Sequence, residues 1–259
     1  MGKDLKPFTQ TYDAVIDAYA REGNYEKAEN IFNEMLMQYL GGDCDVEPSV
    51  RSYNKVLSSY SNNADINDSL IARAQAFLAK WNAQRKEGII HVQPNFVSAT
   101  ILIRMFSKKH SLEGAEGAER ILKYMQTRYN AGDIGMKPDI IAISSCITAW
   151  LRSGSTHSLN RILSLYKQVL DMYQAGDQTM KPSKTFYNLI IEACLTKSDE
   201  DFFVEKAYDV IIEMFGDKLT VPQRSLCERV GEALQKSSID QKEERIAKID
   251  SMRRSIVYQ

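Results

Sequence analysis

Five prolines constrain this chain more than any other feature. Pro48, Pro94, Pro138, Pro182 and Pro222 each follow a glycine by six residues, the glycines being Gly42, Gly88, Gly132, Gly176 and Gly216. The spacer recurs too, as Tyr39-Leu-Gly-Gly-Asp, Tyr129-Asn-Ala-Gly-Asp and Tyr173-Gln-Ala-Gly-Asp, with Val46, Val92, Met136 and Met180 two residues before the proline. Glycine adopts the conformation that ends a helix, and proline suits the point where the next one begins. Punctuation at a nearly fixed interval calls for a repeated structural unit rather than one globular core.

Between the marks lies a helical hairpin, clearest at 11–35, TYDAVIDAYAREGNYEKAENIFNEM. Val15, Ile16 and Tyr19 fall at helical spacing, Arg-Glu-Gly-Asn at 21–24 breaks the pattern, and Ala28, Ile31, Phe32 and Met35 resume it. First helices share columns: Val15, Val56, Leu102, Cys146 and Ile190, then Ile16, Leu57, Ile103, Ile147 and Ile191. After a polar lead-in at 1–8 the units run 9–49, 50–95, 96–139, 140–183 and 184–223, with Thr9 or Thr11 expected to cap the first helix. Leu226, Val230, Ala233 and Leu234 make one more first-helix pattern, and a highly charged helix ends the chain. Residues 224–259 therefore read as a C-terminal helical cap, or alternatively as a docking helix for a partner. The fold class is all-α: an α-solenoid of about five helix-turn-helix repeats plus that cap.

Composition narrows the function. With 44% hydrophobic residues the 259-residue chain can fill a continuous core, and no run of about 18 or more apolar residues could span a bilayer, so no membrane partner is expected. Cys44, Cys146, Cys194 and Cys227 are scattered without metal-ligand spacing, which suits a reducing compartment. His91, His110 and His157 stand in loops without paired ligands, and no Gly-rich phosphate loop follows a strand. No catalytic activity, metal, cofactor or small-molecule substrate is expected. The net charge of −1 argues against a strongly basic nucleic-acid binder, yet its distribution argues otherwise. First-helix windows 50–61, 96–109, 140–152 and 184–197 hold Arg51, Lys55, Arg104, Lys108, Lys109, Arg152, Lys184 and Lys197 against the single acid Glu192.

Thr-Tyr-Asp at 11–13, Ser-Tyr-Asn at 52–54, Phe-Tyr-Asn at 186–188, Gly-Asn-Tyr-Glu-Lys-Ala at 23–28 and Pro-Asp at 138–139 resemble the pentatricopeptide-repeat family. The resemblance covers 9–223, although these units are longer than the family's usual length, both in the second helices and in the spacers. It implies a right-handed superhelix that lays single-stranded RNA along its first helices, one base per repeat. By position it implies base-reading side chains at Asp13, Asn54, Thr100, Ser144 and Asn188, working with Ser49, Asn95, Asp139, Ser183 and Gln223. Asn54 with Asn95 resembles a pyrimidine reader and Thr100 with Asp139 a guanine reader. Ser144 with Ser183 and Asn188 with Gln223 give weaker codes, and Asp13 with Ser49 fits no common combination.

The residues that would sandwich the bases are Arg51, Val97, Ile141 and Thr185, with Gln10 a poor match. Phosphate contacts would come from Lys55, Arg104, Lys108, Lys109, Arg152 and Lys197. Each polar residue at a helix start reads equally as a cap or a solvated position. The implied role is a non-catalytic RNA adaptor, with a protein partner in an RNA-processing complex, and the rival is a scaffold holding a protein or peptide on its concave face. The family works mostly in mitochondria or plastids. The start, MGKDLKPFTQ, has no apolar signal core and leaves little room for an Arg-rich transit peptide before the first repeat.

Overall fold

A computed structural model describes residues 7–216 and 223–256. Among these are twelve α-helices, three short 3-10 segments and no strand. In chain order the helices are α1 (Thr9–Arg21), α2 (Tyr25–Leu40), α3 (Val50–Asn62), α4 (Asp68–Lys86), α5 (Phe96–Ser107) and α6 (Leu112–Asn130). They continue with α7 (Ile140–Arg152), α8 (Ser158–Gln174), α9 (Lys184–Leu195), α10 (Asp201–Gly216), α11 (Arg224–Lys236) and α12 (Lys242–Ile256). Odd-numbered helices are the expected first helices, and α2, α4, α6, α8 and α10 the second helices.

The chain divides into two compact units, Met1–Ser153 and Gly154–Gln259, and the division falls between the two helices of the fourth repeat. In the first unit α1 lies beside α3, α3 beside α5 and α5 beside α7. α3 and α5 also pack on the second helix of their own repeat and on that of the repeat before, while α1 packs on α2 and α7 on α6. In the second unit α9 packs on α8, α10 and α11, while α12 packs on α11. The expected columns form the cores: Ile16, Leu57, Ile103 and Ile147 are buried in the first unit, and Ile190, Ile191, Val210, Ile211 and Val230 in the second. Among the described residues one stretch, Ile134–Arg152, is long and apolar enough by composition to cross a membrane, but it is interrupted by Pro138, and the buried face of α7 makes it part of the first unit's core.

The Gly–Pro spacers explain the period. Gly42, Gly88, Gly132 and Gly176 all take φ between 73° and 101°, the left-handed region that glycine enters without steric cost. Behind each, two backbone hydrogen bonds close the helix end, for example Gly42 N–H to Tyr39 C=O at 3.0 Å and Asp43 N–H to Gln38 C=O at 3.1 Å. In repeats 1, 3 and 4 the extra spacer residues fold as 3-10 turns, Cys44–Val46, Ile134–Met136 and Gln178–Met180, whose last residues Val46, Met136 and Met180 are buried. Repeat 2 departs from this: Ile90 is buried in the spacer and the Trp81 indole N–H donates to the Val92 carbonyl at 3.1 Å. The spacer before Pro222 lies outside the described residues.

Thr9 and Thr11 do not cap α1. Its N-cap is Phe8, and the Thr9 hydroxyl instead donates toward the Asp45 and Glu47 carbonyls at 3.2 and 3.0 Å, tying the start of α1 to the first spacer.

Candidate nucleic-acid interface

The residue that closes each unit begins the next odd helix. Ser49, Asn95, Asp139 and Ser183 are the N-caps of α3, α5, α7 and α9, accepting from the backbone N–H of Ser52 (3.2 Å), Ser98 (3.3 Å), Ala142 (2.8 Å) and Phe186 (3.2 Å). Capping and base reading are compatible, because an amide or carboxylate has lone pairs beyond the one a cap uses. Gln223 holds the same place before α11 but makes no side-chain cap bond.

The second set of expected readers lies one turn further along each odd helix. Asn54 is held to the next repeat from both ends of its amide: its Nδ2 donates to Asn95 Oδ1 at 3.4 Å, and its Oδ1 accepts from Ser98 Oγ at 2.6 Å. Asn54 and Asn95 therefore share one network, with Ser98 as a third member that the columns alone did not single out. The signal was present: Ser three residues after the cap is a capping-box spacing, found in both Ser49–Ser52 and Asn95–Ser98. Thr100 and Ser144 turn their hydroxyls to the Phe96 and Ile140 carbonyls of their own helices, at 2.8 and 2.6 Å. Asp13 is buried with Oδ1 lacking a hydrogen-bond partner, and Asn188 Oδ1 is likewise unpartnered.

All four residues expected to flank bases are exposed: Arg51 and Thr185, Val97 at 37% and Ile141 at 58%. The six expected phosphate contacts divide. Arg104, Lys108 and Arg152 make no ion pair among the described residues. Burial first, then the charges of Arg104 and Arg152, push the Lys108 pKa down, which marks this corner of α5 and α7 as locally positive. The Lys108 ammonium also donates to the Ser61 carbonyl, and Lys55 to the Asp13 carbonyl at 2.6 Å, so both cations pin neighbouring odd helices together. Lys109 bridges Asp68 and Glu113, and Lys197 pairs with Glu200 at 2.8 Å. Those two positive charges, counted in the sequence as part of a basic face, are compensated where they stand.

The model of the pentatricopeptide repeat matches residues 10–39, which span α1, its turn and most of α2. The mitochondrial 15S rRNA processing factor CCM1 of Yarrowia lipolytica is 26% identical over 212 residues, covering 82% of this chain and 23% of that protein. A pentatricopeptide repeat-containing protein of Arabidopsis thaliana is 23% identical over 145 residues, covering 56% of this chain and 21% of its own length. The chain thus spans less than a quarter of the curated relatives it matches. Among solved structures, the pentatricopeptide repeat protein PPR10 in complex with an 18-nt psaJ RNA element aligns with a TM-score of 0.43 at 17% identity, over 96% of this chain and 35% of PPR10.

Proposed function

We propose that this chain binds single-stranded RNA along its odd-numbered helices, as a non-catalytic adaptor in RNA processing, stability or translation in a mitochondrion or plastid. The observation that carries the reading is the Asn54–Asn95–Ser98 network, flanked by exposed Arg51 and Val97. Paired amides offer donors and acceptors to the Watson–Crick edge of a splayed base, while a guanidinium plane and an apolar side chain suit its two faces. The pentatricopeptide repeat at 10–39 and the likeness to a mitochondrial rRNA processing factor support the same reading. Thr100 with Asp139, Asn188 with Gln223 and Asp13 with Ser49 are the further base-reading pairs, Ser144 and Ser183 are further positions each within its own unit, and Ile141 and Thr185 are the remaining base-flanking residues. Arg104, Lys108 and Arg152 lead the phosphate contacts, because their charges are uncompensated, and Lys55, Lys109 and Lys197 follow.

Fluorescence anisotropy with a randomised single-stranded RNA pool and the matching DNA pool, over a salt series, tests this. Binding should prefer RNA and weaken with salt, and Arg104→Glu/Lys108→Glu should lower the slope of log affinity against log salt by about two, one per lost phosphate contact. A folded, helical protein that binds neither pool at low salt would overturn the proposal. The rival reading, a scaffold for a protein partner, has one observation in its favour. A groove of about 490 Å³ between α8 and α10 exposes apolar surface from Leu163, Leu170 and Phe202, on second helices rather than on the proposed RNA track.

A further inference from the structure

Four residues beyond the N-cap, each odd helix from α1 to α9 carries a buried side chain: Tyr12, Tyr53, Ala99, Ile143 and Tyr187. Ala99 is the one small residue in that column. In repeats 1 and 2 the phenol crosses to the second helix of its own repeat, the Tyr12 hydroxyl donating to Glu34 at 3.1 Å and the Tyr53 hydroxyl to Gln84 at 3.3 Å. Counted from the buried alanines Ala28 and Ala74 in those second helices, Glu34 stands six residues on and Gln84 ten. The same steps from buried Ala118 in α6 reach Tyr124 and Arg128. Between α4, α5 and α6 lies a hollow of about 130 Å³, and Ala99, Tyr124 and Arg128 all line it. It stands where repeats 1 and 2 place a phenol.

We propose that this hollow receives a tyrosine side chain from an acidic segment of a protein partner. A cavity of about 150 Å³ holds a benzene ring, so this one suits a single ring, whereas a small-molecule site takes about 300–1,000 Å³. Leu78, Leu102, Ile121 and Met136 give it apolar walls, the setting in which one aromatic anchor carries much of an interface's binding energy. Arg128 pairs with Asp133 at 2.8 Å and keeps N–H groups to spare for a phenol oxygen. The rim sets the charge of the partner. Arg85 and Lys86, in the last turn of α4, line the hollow, are exposed and make no ion pair among the described residues. Of the acids nearby, Asp133 is taken up by Arg128, and Glu87, the C-cap of α4, is not part of the wall. Carboxylates on either side of the tyrosine meet those two cations and steer the encounter. On α5, Ala99 and Leu102 lie about 140–200° round the helix from Val97, which belongs to the proposed RNA track. A partner seated here leaves that track open, so the inference stands apart from RNA binding.

The probe is the pentapeptide acetyl-Asp-Glu-Tyr-Glu-Asp-amide, with alanine in place of its tyrosine as the control, titrated into the full chain while NMR follows the methionine methyl groups. Met136 lines the hollow, whereas Met37 is exposed on α2. The tyrosine peptide should shift the Met136 methyl saturably and leave Met37 in place, and the alanine peptide should bind about tenfold more weakly or worse, as loss of a buried ring implies. Ala99→Tyr fills the hollow from within and should weaken the tyrosine peptide by the same factor, with an unchanged circular dichroism spectrum. Equal behaviour of the two peptides, absence of any shift included, overturns the proposal, and so does unchanged binding to a folded Ala99→Tyr chain. A single-stranded RNA pool that shifts Met136 and displaces the peptide also overturns it, since a nucleobase is then the occupant. Should Ala99→Tyr lose helicity, Arg85→Glu/Lys86→Glu decides, both positions being exposed. Weakened binding of the tyrosine peptide sustains the proposal, and unchanged binding overturns it.

Discussion

The junction between repeats 1 and 2 and the junction between repeats 2 and 3 are built on one plan, yet they differ at two points. The first is the spacer: a 3-10 turn that buries Val46 in one, a turn anchored by Trp81 and Ile90 in the other. The second is the cap. At the later junction Asn95 caps α5 while its amide oxygen still accepts from Asn54, and the Ser98 hydroxyl crosses to Asn54. At the earlier one Ser49 caps α3, the Ser52 hydroxyl lies 3.1 Å from the Ser49 hydroxyl, and buried Asp13 Oδ1 is left without a partner. An amide has more hydrogen-bonding sites than a hydroxyl, so a single cap residue decides whether the cross-repeat network closes. Same register, then, does not mean same site.

The spacer difference should give the largest effect. Trp81 is fully buried, stacks on Tyr53 with ring centroids 4.2 Å apart and holds the Val92 carbonyl. Trp81→Ala removes packing and leaves that carbonyl without its donor, and should destabilise the chain by about 3–5 kcal/mol. Val46→Ala at the other junction removes two methyl groups, worth about 1.6 kcal/mol of transfer free energy. Denaturant unfolding of the two variants measures both. Equal losses would mean that the two spacers are energetically interchangeable and that the indole anchor adds nothing.

How much of this was legible in the sequence depends on the kind of interaction. Helix pairs, their boundaries and the buried columns follow from apolar spacing and from glycines whose positive φ leaves little choice, so Gly42, Gly88, Gly132 and Gly176 announced their turns. The N-caps of α3, α5, α7 and α9 were legible as a column, because Ser49, Asn95, Asp139 and Ser183 recur before each helix. What each side chain does there was not, since capping, cross-repeat bonding and exposure use the same residue types. Nor could a count of charges reveal that Lys109 meets Asp68, more than 40 residues earlier, while Arg104 and Arg152 meet no acid among the described residues. The exposure of Val15 was invisible for the same reason: it looks like Val56 until burial, 39% exposed against 0%, tells them apart.

The cap difference should give an intermediate effect. Losing the cap, Asn95→Ala or Ser49→Ala, should cost about 1 kcal/mol at either junction. The junctions should separate in double-mutant cycles. Asn54→Ala combined with Asn95→Ala should show a coupling energy of about 0.5 kcal/mol or more, while Asp13→Ala with Ser49→Ala should be additive within about 0.3–0.5 kcal/mol. Matching couplings at the two junctions would break the comparison, because they would mean that Ser49 reaches Asp13 as Asn95 reaches Asn54.

The smallest expected effect sharpens the comparison most, since it converts one junction toward the other. Ser and Asn are nearly equal as N-caps, so Ser49→Asn should leave the start of α3 about as stable as before. The new amide oxygen can accept the Ser52 backbone N–H, as Asn95 does for Ser98, which releases the Ser52 hydroxyl to donate across to Asp13 Oδ1. A buried acceptor that gains a donor, less the Ser49–Ser52 hydroxyl contact given up, contributes about 0.5 kcal/mol, the low end of the net worth of an intramolecular hydrogen bond. Ser49→Asn should therefore raise stability by about that amount, read as a higher denaturant midpoint with an unchanged slope. The control is the same substitution in an Asp13→Ala chain, where the released hydroxyl has no carboxylate to reach and the gain should vanish. A gain that persists without Asp13 would come from the cap alone, and the cross-repeat network would then not be what distinguishes the two junctions.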